Sequence, residues 1–118
     1  MTGEVDDRST PILRLEIGGE EWIAVIDTGF NGHLVLPQSL ADLFPGSFYA
    51  ETEIVLGDGQ IVVEELFTID FPFDGVIRSI QTSFVDTNEI LIGTLLLEDH
   101  RLEVNFVTRT VELENLRS

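Results

Sequence analysis

The sequence predicts a small all-β domain, and three observations support this fold class. The chain has 118 residues and is 43% apolar, which suits one domain with one hydrophobic core. Short runs of β-branched and aliphatic residues follow one another quickly, several with alternating apolar and polar positions. Gly-rich turns separate them at Gly18-Gly19 and Gly57-Asp58-Gly59. This pattern is typical of a small closed barrel, predicted here over residues 11–118.

Residues 1–10 are polar and acidic, and we expect them to form a flexible arm. Pro11 marks the beginning of ordered structure, because apolar and charged residues then alternate as in a half-buried strand. After the Gly18-Gly19 turn, residues 22–26 are apolar on both faces, which indicates a strand buried between two layers. That strand ends at Asp27.

The middle of the chain predicts one short helix and a long hairpin. Residues 34–36 form a short strand, and the spacing of apolar residues after Pro37 predicts one or two helical turns, which Pro45-Gly46 ends. Runs at 51–56 and 60–66 flank a tight turn, so the hairpin tip lies near Asp58. Residues 67–71 and 76–85 continue as strands.

The last third of the chain contains another apolar run that ends in glycine. Residues 90–92 form this run before Gly93, and Thr94 caps a predicted short helix over 94–99. Residues 102–106 alternate again, and a turn leads into a final strand at 111–113. The prediction is therefore an all-β domain with one or two short helices.

Composition excludes several functional classes. The net charge of −16 argues against nucleic acid as a partner, because a phosphate backbone requires clustered Lys and Arg. Cysteine is absent, and no metal or cofactor motif stands out, so we expect no cofactor. No segment has the length and apolarity of a membrane span, so no membrane partner and a cytoplasmic location are the simplest expectations.

Asp27 is the first candidate for chemistry. The apolar run delivers its carboxylic acid to a sharp turn, for which Gly29 supplies the backbone freedom. Asp-Thr-Gly alone is a weak signal, since Asp and Gly belong in any turn. By the same reasoning Asp58 is a turn former, and His33 is assigned to the surface or the core with a place near a cleft as the minority alternative.

Several segments in order resemble the retropepsin-like aspartic peptidases. They are the stretch from Gly18-Gly19 to Asp27-Thr28-Gly29, the hairpin at Gly57-Asp58-Gly59 where that family has its flap, and Leu91-Ile92-Gly93 with the run to Phe106. The resemblance spans roughly residues 12–106 and is closer to prokaryotic single-domain members than to viral ones. It implies a small closed acid-protease barrel with a flap hairpin.

The resemblance also implies an activity and a set of site residues. Asp-Thr-Gly occurs once, so the second aspartate of an aspartic endopeptidase must come from a second copy in a homodimer. The implied catalytic residues are Asp27, Thr28 and Gly29. A peptide or protein substrate would contact Phe30, Asn31, Gly57, Asp58, Gly59 and Ile92.

Departures from the viral pattern leave a second functional class open. Phe30 replaces a small residue and should crowd the nearest subsites, and Asn31 and Thr94 replace an Asp–Arg ion pair between subunits. Two chains would also carry 2 × −16 = −32 charges, which opposes association. The alternative is therefore a non-catalytic dimerisation or peptide-binding module with the same fold, and a third possibility is a monomer that becomes active only when concentrated or tethered.

Overall fold

The computed structural model describes residues 1–55 and 58–117, which form one sheet and one short helix. A 3₁₀ helix, Gln38–Leu43, follows the fourth strand. The strands in chain order are β1 (Thr2–Val5), β2 (Pro11–Ile17), β3 (Glu20–Ile26), β4 (Leu34–Pro37), β5 (Ser47–Val55), β6 (Ile61–Phe73), β7 (Val76–Val85), β8 (Ile90–Ile92), β9 (His100–Asn105) and β10 (Thr110–Asn115).

The predicted all-β class is confirmed, but the sheet is not closed. Its strand order is β5-β6-β7-β4-β8-β3-β2-β1-β10-β9, so β5 and β9 are edges that do not pair with each other in the described part of the chain. β5 pairs along its length with β6 alone, and its residues Phe48 and Tyr49 remain exposed. The predicted closed barrel is therefore wrong in this respect, because the long β5–β6 hairpin extends from the sheet and leaves its outer strand uncovered.

The first strand corrects the expectation of a flexible N-terminal arm. β1 pairs with β10 on one side and with β2 on the other. Val5 is buried in the core, and the N–H of Leu113 donates to the carbonyl oxygen of Met1 at 2.8 Å. The sequence did not predict this strand because the segment is mostly polar and only one of its side chains is fully buried.

Only the first predicted helix forms, and it is of the 3₁₀ type with Leu40 as its buried residue. Residues 94–99 form consecutive turns instead of the second helix. The N–H groups of Leu97 and His100 donate three residues back, to the carbonyl oxygens of Thr94 and Leu97 at 3.1 and 2.9 Å. The guanidinium of Arg78 donates to the carbonyl oxygen of Leu96 at 2.8 Å, so a side chain of β7 holds this segment.

The arrangement of three central strands determines where the Asp27 loop lies. β8 pairs in parallel with β3 through Ile26 and Ile92, and antiparallel with β4 through Leu34 and Ile92. These three residues are 4% exposed or less, and burying a side chain of this kind contributes about 1.5–3 kcal/mol. The loop at 27–33 therefore begins and ends beside the same short strand.

Candidate active site

Asp27 is fixed by its own turn as well as by the strand end. Its N–H donates to the carbonyl oxygen of Ile92 at 2.9 Å, and its carbonyl accepts the N–H of Phe30 at 3.1 Å. The Oδ1 atom of its half-buried side chain accepts the N–H of Gly29 at 2.9 Å. A Cβ atom at Gly29 would lie 3.2 Å from that oxygen, so glycine leaves room for this short turn. The carboxylate is thus oriented before any ligand binds.

The loop is braced by the segment that follows β8. The N–H groups of Gly93, Thr94 and Leu95 donate to the carbonyl oxygens of His33, Phe30 and Gly32 at 3.0, 2.8 and 3.1 Å, respectively. A Cβ atom at Gly93 would collide with the carbonyl oxygen of Gly32. Glycine follows the apolar pair at 91–92 because the backbone of Gly93 lies close to the backbone of the loop.

Asn31 and Thr94, which replace the viral ion pair, lie beside each other in one chain. The Thr94 hydroxyl is 3.5 Å from the amide oxygen of Asn31 and 3.3 Å from the carbonyl oxygen of Phe30. The contact is neutral, and Asn31 is exposed. These residues thus add a local polar contact that carries no net charge.

The other predicted site residues lie in different environments. Thr28 and Gly29 are exposed at the tip of the loop, whereas Ile92 is fully buried and meets the loop through its backbone. At the hairpin tip, Asp58 Oδ1 accepts the N–H of Gln60 at 3.0 Å and Gly59 has a φ of 85°. Asp58 therefore acts as a turn former, and Gly57 lies outside the described residues.

A cavity of about 310 Å³ lies between the loop and the β5–β6 hairpin. Phe30 lines it, whereas Asp27 does not, so one chain does not by itself join the acid to this cavity. A second cavity of about 650 Å³ lies against Phe44, Phe67 and Phe84, and it shares Glu64 and Ser83 with the first. The smaller cavity is the one that borders the candidate acid loop.

Sequence reasoning missed Glu64, Gln81 and Ser83 of this smaller cavity, and it gave a place near a cleft only as the minority alternative for His33, which also lines it. His33 is half-buried, and its Nδ1 accepts the N–H of Gln81 at 3.4 Å. Burial lowers the pKa of His33, and the positive charge of Arg78 lowers it further. Its position six residues after Asp27 was the available signal, while Glu64 and Gln81 carried none because their strands contain many polar residues.

Neither a metal centre nor a spanning helix is found in the residues that the structure describes. No group of three His, Asp or Glu side chains in residues 1–55 and 58–117 is arranged to hold a metal ion. Within the same ranges, no helix has the length and apolarity needed to cross a membrane.

The fold is of the retropepsin-like type, as structural comparison shows. A retropepsin-like aspartic protease from Rickettsia conorii superposes with a TM-score of 0.65 over 96% of this chain and 88% of that chain, at 14% identity. A foamy viral protease-reverse transcriptase in complex with RNA/DNA hybrid superposes with a TM-score of 0.58 over 80% of this chain, at 15% identity. The same kind of foamy viral protein in complex with double-stranded DNA gives 0.57 over 80% of this chain, at 15% identity.

Sequence comparison adds nothing to this structural likeness. No protein-family model matches the chain, and the search of curated proteins gives no match either. The chain spans 13% and 16% of the length of the two foamy viral proteins. At 14–15% identity the likeness establishes the fold, and the chemistry has to be argued from the residues.

Proposed function

We propose that the chain is an aspartic endopeptidase that hydrolyses peptide bonds as a homodimer. The observation that carries this proposal is the oriented Asp27 carboxylate, held by Gly29 and Ile92 in a retropepsin-like fold. One carboxyl group cannot serve as proton acceptor and proton donor at once. A second Asp27, from a partner chain, supplies the missing group.

The two carboxyl groups would divide the chemistry between them. At about 3 Å apart they hold one proton between them, because two negative charges this close are unfavourable. The ionised group accepts a proton from water, which attacks the scissile carbonyl carbon, while the protonated group donates to the carbonyl oxygen. The resulting tetrahedral diol breaks down with protonation of the leaving nitrogen, so no covalent enzyme intermediate forms.

The surrounding residues position the two loops and the substrate. The exposed hydroxyl of Thr28 can bond to the partner's loop, as the resemblance implies, and Gly29 leaves space for an extended peptide. The β5–β6 hairpin covers the cavity next to Phe30 and would close over a bound peptide. The strong negative charge of the dimer disfavours double ionisation, so activity should be highest at acidic pH.

The test is cleavage of a capped peptide library by the wild type and by Asp27→Asn, from about pH 4 to about pH 7. Light scattering first identifies a concentration at which the wild type is dimeric. Asp70→Asn is the matched control, because Asp70 is exposed on β6 and pairs with Ser79 in the sheet. We expect cleavage by the wild type and the control, and none by Asp27→Asn.

The same experiment decides between this activity and the non-catalytic module. Half-buried Phe30 lines the cavity and Asp27 does not, so a peptide side chain bound there is separate from the acid of the same chain, and this favours a module that binds peptides without cutting them. A confirmed dimer that binds library peptides and cleaves none at any pH would support the module. Cleavage that persists in Asp27→Asn would refute the proposed chemistry.

A further inference from the structure

The cavity beside Phe30 is lined by apolar and by polar side chains. The hairpin supplies both kinds, because Leu66, Thr52 and Glu64 all line it, and Thr52 pairs with Glu64 across the two strands. The apolar side chains come from the loop, β4, the hairpin and the segment after β8, namely Phe30, Leu34, Leu66 and Leu95. The cavity volume of about 310 Å³ is about ten times the volume that one molecule occupies in liquid water, so a long side chain fits.

Three of the polar side chains that line this cavity carry hydrogen-bond acceptors. Glu64 is half-buried and forms no ion pair with any cation in the described part of the chain. Ser83 is 2% exposed, and its hydroxyl oxygen has no hydrogen-bond partner among the described residues. Gln81 uses its side-chain nitrogen to donate to Thr68 at 3.3 Å, which leaves its amide oxygen for a ligand.

No neighbouring basic group of the cavity wall neutralises Glu64. His33 is the basic residue of that wall, and burial lowers its pKa, so it is uncharged at neutral pH. Arg78 is not part of the wall and donates to the carbonyl oxygen of Leu96 at 2.8 Å. Among the described residues, the cavity is therefore lined by a carboxylate without an ion pair, together with the Gln81 amide oxygen and the buried Ser83 hydroxyl.

Lysine and arginine side chains match this arrangement. Each has an apolar stem that can lie against aliphatic and aromatic walls, and a head that carries donors only. A charge-assisted hydrogen bond to a carboxylate is about twice as strong as a neutral one. The net charge of −16 also attracts cationic peptides to the protein.

We propose that this cavity is a specificity pocket that accepts a lysine or arginine side chain of an extended peptide, with Glu64 as its counter-ion. The inference rests on the proposed function in one respect, because the peptide is taken to be the substrate of the Asp27 site. The site for the cationic side chain does not include Asp27, which does not line the cavity.

The test measures binding in the Asp27→Asn background, so that it does not depend on catalysis. The probes are capped decapeptide libraries in which each position in turn carries arginine, citrulline or methionine; citrulline has the shape of arginine without its charge. We expect one position at which arginine binds about tenfold or more tightly than citrulline. Adding Glu64→Gln should reduce this ratio to about twofold or less.

Glu65→Gln is the matched control, because Glu65 lines the larger cavity and not the smaller one. It should keep the arginine preference, whereas Glu64→Lys should reverse it, so that citrulline binds more tightly than arginine. Equal binding of arginine and citrulline, or a preference that survives Glu64→Gln, would overturn the proposal. Absence of binding by all three libraries would overturn it as well.

Cleavage by the wild type separates this inference from the proposed function. An arginine preference in binding without any cleavage would leave the pocket in place and refute the endopeptidase. Cleavage that needs Asp27 but shows no preference for arginine over citrulline would confirm the endopeptidase and refute the pocket.

Discussion

The backbone N–H of Asp27 donates to the carbonyl oxygen of Ile92 at 2.9 Å, so the candidate acid is attached to the end of a buried strand. The next residue, Gly93, donates to the carbonyl oxygen of His33 at 3.0 Å. Two adjacent residues thus hold both ends of the loop at 27–33. The position of the carboxylate depends on how closely the backbone at Gly93 approaches the loop.

Gly93→Ala should therefore destabilise the protein and displace the loop. The new methyl group would meet the carbonyl oxygens of Gly32 and Phe30, which belong to the backbone and cannot rotate away. We expect the free energy of unfolding to fall by about 1–3 kcal/mol, as is usual when a packed site is overfilled. Urea denaturation monitored by circular dichroism would measure this change.

Gly32→Ala is the matched control for this substitution. Its methyl group would lie 2.6 Å from Cζ of Phe30, which is the far end of a side chain that can turn aside. The loss of stability should therefore be smaller than for Gly93→Ala. Equal losses, or a larger loss for Gly32→Ala, would show that the backbone contact at Gly93 does not hold the loop.

Mixing active and inactive chains tests whether two copies of Asp27 form one site. When wild type and Asp27→Asn are unfolded together in equal amounts and refolded, about a quarter of random dimers contain two intact acids. Activity should then be about a quarter of that of the same total amount of wild type. A value near one half would indicate that each chain acts independently, and Asp70→Asn in place of Asp27→Asn should cause no loss.

Salt should strengthen the proposed dimer. Each chain carries a net charge of −16, and the Asn31–Thr94 contact adds no charge pair that would offset repulsion between chains. Ions screen this repulsion over about 10 Å at 0.1 M and about 3 Å at 1 M. Sedimentation velocity should show a lower dissociation constant at high salt, and a weaker dimer at high salt would indicate that attractive ion pairs dominate the interface.

The sequence was sufficient to predict the all-β class, the long hairpin and the turn at Asp58, because these depend on local patterns. The sequence did not show which of the two predicted short helices forms, since both segments have suitable spacing of apolar residues. Only the segment after Pro37 is helical, in the 3₁₀ form. The segment at 94–99 forms turns and bonds to distant residues, through the Thr94 N–H to Phe30 and through Arg78 to Leu96, and such contacts cannot be seen in a local pattern.

The residues of the candidate site also fall into those that a local sequence pattern predicts and those that it does not. Asp27, Thr28 and Gly29 form a local motif, and the structure supports the predicted turn through the 2.9 Å bond from the Gly29 N–H to Asp27. Glu64 on β6 and Ser83 on β7 come together only through the pairing of these two strands. Their place in one cavity depends on this pairing, so no spacing in the sequence indicated it.

His33 should make stability depend on pH between neutral and mildly acidic conditions. Burial lowers its pKa in the folded protein, whereas in the unfolded chain the value is about 6.5. The unfolded chain therefore binds a proton first as the pH falls. This contribution to stability is present above about pH 6.5 and is lost as the pH falls towards the lower folded value.

The measurement is urea denaturation of the wild type and of His33→Asn at about pH 7.5 and about pH 5. Asparagine keeps an acceptor near the N–H of Gln81, which binds Nδ1 of His33 at 3.4 Å, but it does not titrate. The wild type should lose more stability on acidification than the variant does. An equal loss in both proteins would show that His33 binds protons alike in the folded and unfolded states.

The first strand gives a direct test of the fold, because a flexible arm and a paired strand predict opposite results. Val5 is 4% exposed, and its N–H donates to the carbonyl oxygen of Arg109 at 3.0 Å. Val5→Ala removes two buried methyl groups and should lower the free energy of unfolding by about 2 kcal/mol. Thr2→Ala, at an exposed position of the same strand, should change it by less than about 0.5 kcal/mol. If Val5→Ala proves as harmless as Thr2→Ala in urea denaturation, the segment does not pack on the core in solution, and its pairing with β2 and β10 contributes no stability.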